Sequence, residues 1–104
     1  MNALTVLSAV ARGHRYGFDV MDVTGLESGA VYRALSRLVD LGLVDSRWEP
    51  ASVALKERRP RRRYYELTDA GRRELASARE RVRSFVRLAF GRGLLAKPGG
   101  GKSD

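Results

Sequence analysis

The amino-acid sequence predicts a mainly α fold of the α+β class: three short helices, a small β-hairpin and one long C-terminal helix. Three observations predict it. Apolar residues recur at helical spacing in separate segments broken by Gly13, Thr24-Gly25 and Gly42. Two short strand-like runs, 43–48 and 63–67, flank a connection that holds two prolines and a cluster of arginines. Beyond Thr68, apolar residues keep helical spacing to about Phe90. In this order the elements make a winged helix-turn-helix, the hairpin being the wing, followed by a separate long helix.

The first helix spans residues 2–12. Ala3, Val6, Leu7 and Val10 fall on one face, flanked by Leu4 and Ala11. Gly13 stops it, and His14-Arg15-Tyr16-Gly17 is a turn in which the single histidine is read as a surface or capping residue. A short second helix runs from Gly17 to Val23, with Phe18, Val20, Met21 and Val23 as its apolar members.

The third helix organises the chain. Ser28 is placed to cap it, its hydroxyl accepting from a first-turn N–H. Val31, Leu35 and Leu38 lie on one face, and Tyr32, Arg33, Ser36 and Arg37 largely on the other. Gly42 ends the helix. Two helices joined by a glycine-containing turn form a helix-turn-helix, in which the second enters the major groove of DNA. Its outer face carries side chains of the types that bind phosphates and base edges.

Charge is concentrated in the hairpin. The chain of 104 residues has net charge +8. Residues 1–48 carry five Arg against five acids, whereas residues 49–63 carry one Lys and five Arg against two Glu, net +4. A local cluster of this kind on a balanced domain implies a polyanionic partner. The connection between the strands is expected to be a long, mobile basic tip, with Lys56, Arg58, Arg59, Arg61 and Arg62 lying along a DNA backbone or in its minor groove.

Thr68 caps the last helix, and Asp69 in its first turn complements the helix dipole. Leu75, Ala78, Val82, Phe85, Val86, Ala89 and Phe90 share one side of it. Such a helix is roughly 35 Å long, more than a small domain covers. Val82, Phe85, Val86, Ala89 and Phe90 are therefore expected to meet a second copy of the chain, joined by Leu4 and Leu7 of the first helix. The alternative is that the helix folds back onto Leu4, Leu7 and Ala11. The expected division is 1–67 DNA-binding domain, 68–96 dimerisation helix and 97–104 flexible tail.

Several classes of function are disfavoured. There is no cysteine, one histidine, and no paired-carboxylate or glycine-rich phosphate motif, so an enzyme is not expected, nor a metal or cofactor. No apolar run approaches the length of a membrane span and no secretory signal is recognisable. The expected location is the cytoplasm, with no membrane partner.

Taken as an ordered series, Gly17-Phe18, Gly29-Ala30-Val31-Tyr32 with Leu35 and Leu38, Gly42-Leu43-Val44, Trp48, Arg59-Pro60, and Arg63-Tyr64-Tyr65-Glu66-Leu67-Thr68 with Gly71 resemble the PadR family of bacterial transcriptional regulators. The resemblance covers roughly residues 2–90. It implies a winged helix-turn-helix with a C-terminal dimerisation helix, binding operator DNA as a homodimer, usually as a repressor. It places Ser28, Gly29 and Tyr32 near bases and phosphates, Arg37 at the backbone, and Lys56, Arg58, Arg59 and Arg61 in the variable basic tip. The chain departs from the family pattern at Phe18, where tyrosine is usual, and at Arg33, where proline is common. The resemblance also implies that some relatives bind a small-molecule effector at the dimer interface, for which Trp48, Phe85 and Phe90 are the aromatic candidates.

The resulting expectation is a sequence-specific, DNA-binding transcriptional repressor that contacts a palindromic operator through Ser28, Gly29, Tyr32, Arg33, Ser36, Arg37 and the wing arginines. The alternative is a winged-helix module that binds protein rather than DNA.

Overall fold

The computed structural model describes residues 2–91. The element order is α1 (Asn2–Ala11), α2 (Gly17–Thr24), α3 (Ser28–Asp40), β1 (Val44–Trp48), α4 (Ala51–Glu57), β2 (Arg63–Leu67) and α5 (Asp69–Phe90). The expected tail at 97–104, and the end of the expected long helix, lie outside the described residues. The mainly helical winged helix-turn-helix architecture is as the sequence predicts, with one added helix inside the wing.

The core forms where the apolar faces of α1 and α3 meet. Val6, Leu7, Ala9 and Val10 of α1 pack with Val31, Leu35 and Leu38 of α3, closed by Val20, Val44, Tyr65, Leu67 and Leu75. Each Leu or Val taken fully out of water here contributes about 1.5–3 kcal/mol. Leu7 is only 2% exposed. Its place in the expected dimer contact is therefore corrected: the side chain is spent inside the protomer, while Leu4 lies at the core's edge.

Ser28 is not the cap of α3. Glu27 takes the extended N-cap conformation without a side-chain bond, and Ser28 is already helical. The main-chain carbonyl of Glu27 accepts from the N–H of Val31 at 3.0 Å. At the other end Gly42 adopts φ +75°. Its N–H donates to Val39 O and that of Leu43 to Leu38 O, a Schellman arrangement that satisfies two orphan carbonyls and turns the chain into β1.

β1 and β2 pair antiparallel, from Val44 opposite Leu67 to Trp48 opposite Arg63. The turn before α2 adds to the free edge of β2. Tyr16 forms an isolated bridge with Tyr64, and the N–H of Tyr65 donates to Arg15 O at 2.8 Å. Thr68 then fastens α5 to the domain. Its hydroxyl accepts from the N–H of Gly71 at 2.9 Å and donates to Gly42 O at 2.7 Å, as expected of an N-cap.

The mobile tip expected between the strands is not what the chain forms. Residues Ala51–Glu57 make α4, entered from Pro50 and closed by Arg58 in the left-handed region at φ +58°. Alanine, leucine, lysine and glutamate favour a helix once Pro50 has set its entry. The left-handed turn costs a non-glycine residue about 1 kcal/mol. It is accompanied by two closing bonds, Arg58 N–H to Leu55 O and Arg59 N–H to Ala54 O.

Leu75 and Ala78 of α5 are buried, Leu75 within the core and Ala78 beside it. Past them the apolar side of α5 is uncovered within the protomer: Val82, Phe85, Ala89 and Phe90 are exposed and Val86 half-buried. Leu88, absent from the expected set, is 86% exposed. No helix among the described residues is long and apolar enough to cross a membrane.

Candidate nucleic-acid interface

Helix α3 presents its polar side to solvent in two directions. Ser28, Gly29, Tyr32, Arg33, Ser36 and Arg37 are all exposed. Tyr32 turns toward the hairpin, where it lines a cleft with Trp48 and the wing. Arg33 and Arg37 instead flank the start of α1, beside Asn2 and Ala3. Tyr32 and these two arginines thus border different hollows, on either side of the exposed Gly29 and Ser36.

The position of Tyr32 depends on a glycine. A Cβ built on Gly17 would lie 2.0 Å from the Tyr32 hydroxyl oxygen. Only a residue without a side chain lets the phenol rest on the first turn of α2. This close approach joins the two helices of the helix-turn-helix at the point where the domain faces outward.

The wing is organised by Glu49, which no pattern in the sequence singles out. It is 4% exposed, the buried charged residue among those described. Arg59 donates to both carboxylate oxygens, Nη1 to Oε1 at 2.7 Å and Nη2 to Oε2 at 2.8 Å. The N–H of Arg62 donates to Oε1 at 3.2 Å and the Tyr64 hydroxyl to Oε2 at 3.4 Å. Arg61 Nε donates to the main-chain oxygen of Glu49 at 2.9 Å. The Arg59 hydrogen bonds, aided by the Arg62 N–H, outweigh desolvation and hold the Glu49 carboxyl at about 2. The same pair raises Arg59 above its usual value.

This geometry divides the expected wing contacts. Lys56, Arg58 and Arg61 are exposed. Arg59 is committed to Glu49, and both its terminal nitrogens are occupied there. Reaching a phosphate would strip a buried carboxylate of its counter-charge, so Arg59 is better described as holding the wing than as contacting DNA. Arg62 is half-buried, its guanidinium carbon 4.0 Å from the centre of the Tyr16 ring. Arg63, not among the expected contacts, is exposed. It donates to Ser46 Oγ at 2.8 Å and lies 5.7 Å from the Trp48 ring centre. Its alternating position in a strand was the available signal: β2 points residues 63 and 65 to one side of the hairpin.

Arg61, Arg62 and Arg63 thus line the same cleft as Tyr32, one wall from the wing and one from the helix-turn-helix. An exposed helix face beside a basic wing, on a domain with a helix-turn-helix core, is the layout of a winged-helix DNA-binding protein. The family model of the PadR-like transcriptional regulators matches residues 6–77. The chain belongs to this family. The match runs from within α1 to the first part of α5 and ends before the exposed apolar stretch of that helix.

Solved structures show the same fold. A PadR family transcription regulator from hypervirulent Clostridium difficile superposes with TM-score 0.73 at 22% identity, over 84% of this chain and 92% of that one. A PadR-like transcriptional regulator from Bacillus cereus does so with TM-score 0.63 at 22% identity, over 86% and 92%. BpsR of Bordetella bronchiseptica, a protein whose DNA binding is regulated by 6-hydroxynicotinic acid, matches with TM-score 0.68 at 22% identity, over 86% and 64%. No curated protein matches the chain. The family assignment makes this PadR-like protein a DNA-binding transcriptional regulator.

Within the protomer Trp48 is 54% exposed. It lines the cleft beside Tyr32, whose walls hold no residue of α5. Among the described residues there is no group of histidine, aspartate and glutamate side chains able to hold a metal ion.

Proposed function

We propose that the protein is a homodimeric repressor that binds a palindromic operator. Helix α3 enters the major groove, the ridge from Ser28 to Ser36 facing the bases and Arg33 and Arg37 the flanking phosphates. The wing, through Lys56, Arg58, Arg61, Arg62 and Arg63, follows the adjoining backbone. The observation that carries this reading is the pairing of the exposed polar side of α3 with a wing whose buried carboxylate is already matched by Arg59. Lys56, Arg58, Arg61 and Arg63 are then exposed without a competing internal anion, and Arg62 is half-buried against Tyr16.

Dimerisation is supported by α5. Val82, Phe85, Leu88 and Phe90 expose apolar surface that folding of one protomer does not cover, and a two-fold axis is the commonest way to cover such a stripe. Two recognition helices would then meet successive major grooves about 34 Å apart. Residues 1–67 are the DNA-binding part and the helix after Thr68 the dimerising part. Regulation by a small molecule belongs to the same reading, by analogy with BpsR. The protein acts in the cytoplasm, where its DNA is.

Footprinting on the intergenic duplex upstream of the protein's own reading frame tests the proposal. Two protected half-sites one helical turn apart, with lower output from a reporter promoter placed over them, are expected. Protection of a single half-site by a monomer, or no protection of any duplex, would contradict it.

A further inference from the structure

Three successive arginines of the wing each lie over an aromatic ring. The guanidinium carbon of Arg62 is 4.0 Å from the centre of the Tyr16 ring. Those of Arg61 and Arg63 are 5.6 Å and 5.7 Å from the centre of the Trp48 ring, and that of Arg63 is also 6.0 Å from the centre of Tyr65. Strand alternation accounts for the division. Trp48 stands opposite Arg63 in the ladder. The N–H of Glu49 donates to Arg62 O at 2.8 Å, which carries the pairing one step further. Residues 61 and 63 therefore fall on the Trp48 side of the hairpin and residue 62 on the Tyr16 side. Trp48 itself is exposed and lies outside the core, so core packing does not account for an indole there.

We propose that Trp48 is the positioning residue of the wing: its indole holds Arg61 and Arg63 in the poses in which they meet the phosphates of the operator. The proposal rests on the DNA-binding reading above and names the residue that readies the wing for it. A guanidinium stacks by its face and keeps its in-plane N–H groups for oxygen acceptors. Arg61 spends Nε on the main-chain oxygen of Glu49 at 2.9 Å, and Arg63 spends one Nη2 bond on Ser46 Oγ at 2.8 Å. Each bond tethers one corner of its guanidinium, and the indole supplies the surface that both groups share. No carboxylate lines the cleft they border, so a phosphate meets no internal competitor there.

The gain is one of order. An arginine free to swing loses that freedom on meeting a phosphate, and the loss weakens binding by about two- to tenfold for each side chain held. On Trp48 that ordering is complete once the hairpin has folded. Trp48 thus raises affinity without neutralising a phosphate itself, which separates it from a direct contact.

Two measurements on the full-length protein test this. In the free protein, NMR order parameters of the arginine Nε–Hε groups are compared between the native chain and Trp48→Leu. Arg61 and Arg63 are expected to lose order, while Arg62, on Tyr16, keeps its own. Against the upstream duplex, Trp48→Leu is expected to weaken binding about tenfold at fixed salt. The log–log salt slope stays unchanged, because both arginines are still present. Trp48→Tyr, which keeps a ring, recovers most of the loss. Added to Arg61→Ala with Arg63→Ala, Trp48→Leu costs nothing more, since it acts only through them. Trp48 lies outside the core, so both variants should keep a dispersed amide spectrum. Native affinity in Trp48→Leu, a loss additive to that of the arginine pair, or a changed salt slope would overturn the proposal. So would equal weakness of Trp48→Tyr and Trp48→Leu, or arginine order indifferent to residue 48. Each of these leaves the repressor reading standing. Absence of any duplex binding would instead remove the repressor reading, and the positioning role with it.

Discussion

Glu49 and Arg59 form a two-point ion pair across the base of the wing, with nitrogen–oxygen distances of 2.7 and 2.8 Å. Ten residues separate them, and α4 is the excursion between. The pair closes that excursion and holds the strand ends in register, while the remaining two bonds to the carboxylate come from Arg62 and Tyr64. A carboxylate inside a basic wing thus acts as its fastening: it neutralises one arginine and leaves the charge of the others unpaired by it.

Replacing the acid tests this role. Glu49→Gln keeps the shape and removes the charge that Arg59 answers. Hydrogen exchange at the backbone amides of residues 59–64 is expected to speed up by about tenfold or more, since local opening then costs less. Exchange at the α1–α3 core should stay unchanged. Arg59→Ala should give the same local loss. If Arg59 were instead a phosphate contact, Arg59→Ala would leave wing exchange untouched.

The pair also sets a pH dependence. The Glu49 carboxyl is depressed from its usual 4.5 to about 2. Its contribution to the folded wing is therefore complete above about 4.5 and declines as pH falls toward 2. Asp69 is lowered too, chiefly by its hydrogen bond from Arg72, so whole-protein melting mixes the two. Amide exchange confined to residues 59–64 isolates Glu49. Taken relative to the intrinsic exchange rate at each pH, protection of these amides should fall through that window in the native protein and stay flat in Glu49→Gln.

The contact of Tyr32 with Gly17 predicts a paired result. Gly17→Ala places a methyl group where the phenol lies, and the exposed Tyr32 ring must swing away to admit it. DNA affinity should fall because Tyr32 is displaced, with little change in thermal unfolding. Adding Tyr32→Ala should lower the affinity no further. Native DNA affinity in Gly17→Ala would contradict the account.

The α5 stripe makes a prediction of assembly. If the proposed dimer forms, Phe85→Asp with Leu88→Asp should convert it to a monomer in light scattering, with its helix content and melting core retained. Leu7→Ala should behave oppositely. It removes a buried core side chain at a cost of about 2–5 kcal/mol without touching the oligomeric contact directly. A dimer unaffected by the α5 pair would place the interface elsewhere.

Much of the fold was legible because local chemistry and overall pattern agree. The spacing of Val31, Leu35 and Leu38, and the stop at Gly42, specify α3 without reference to the rest of the chain. Thr68 was legible as a cap for the same reason. What could not be read depends on contacts formed only after folding. Glu49 meets Arg59 only when the wing has closed, and as a bare sequence it is one acid before a proline. Helix α4 is seven residues long, too short for apolar spacing to mark, and the neighbouring arginines dominate the segment's composition. Leu4 and Leu7 share an apolar side of α1, and only packing decides that Leu7 goes inside. Phe18 reads only as an apolar member of a helix too short to have a clear face, and α2 presents it to the cleft.

The most direct test is DNA affinity measured across a salt series on the upstream duplex, for the native protein and for Arg61→Ala with Arg62→Ala. A protein that neutralises Z phosphates loses affinity with a log–log slope of about −0.9Z. The account predicts tight, duplex-selective binding that falls steeply with salt, and a slope shallower by up to about 2 in the double variant. Binding that is weak and indifferent to salt, or an identical slope without the two arginines, would contradict it.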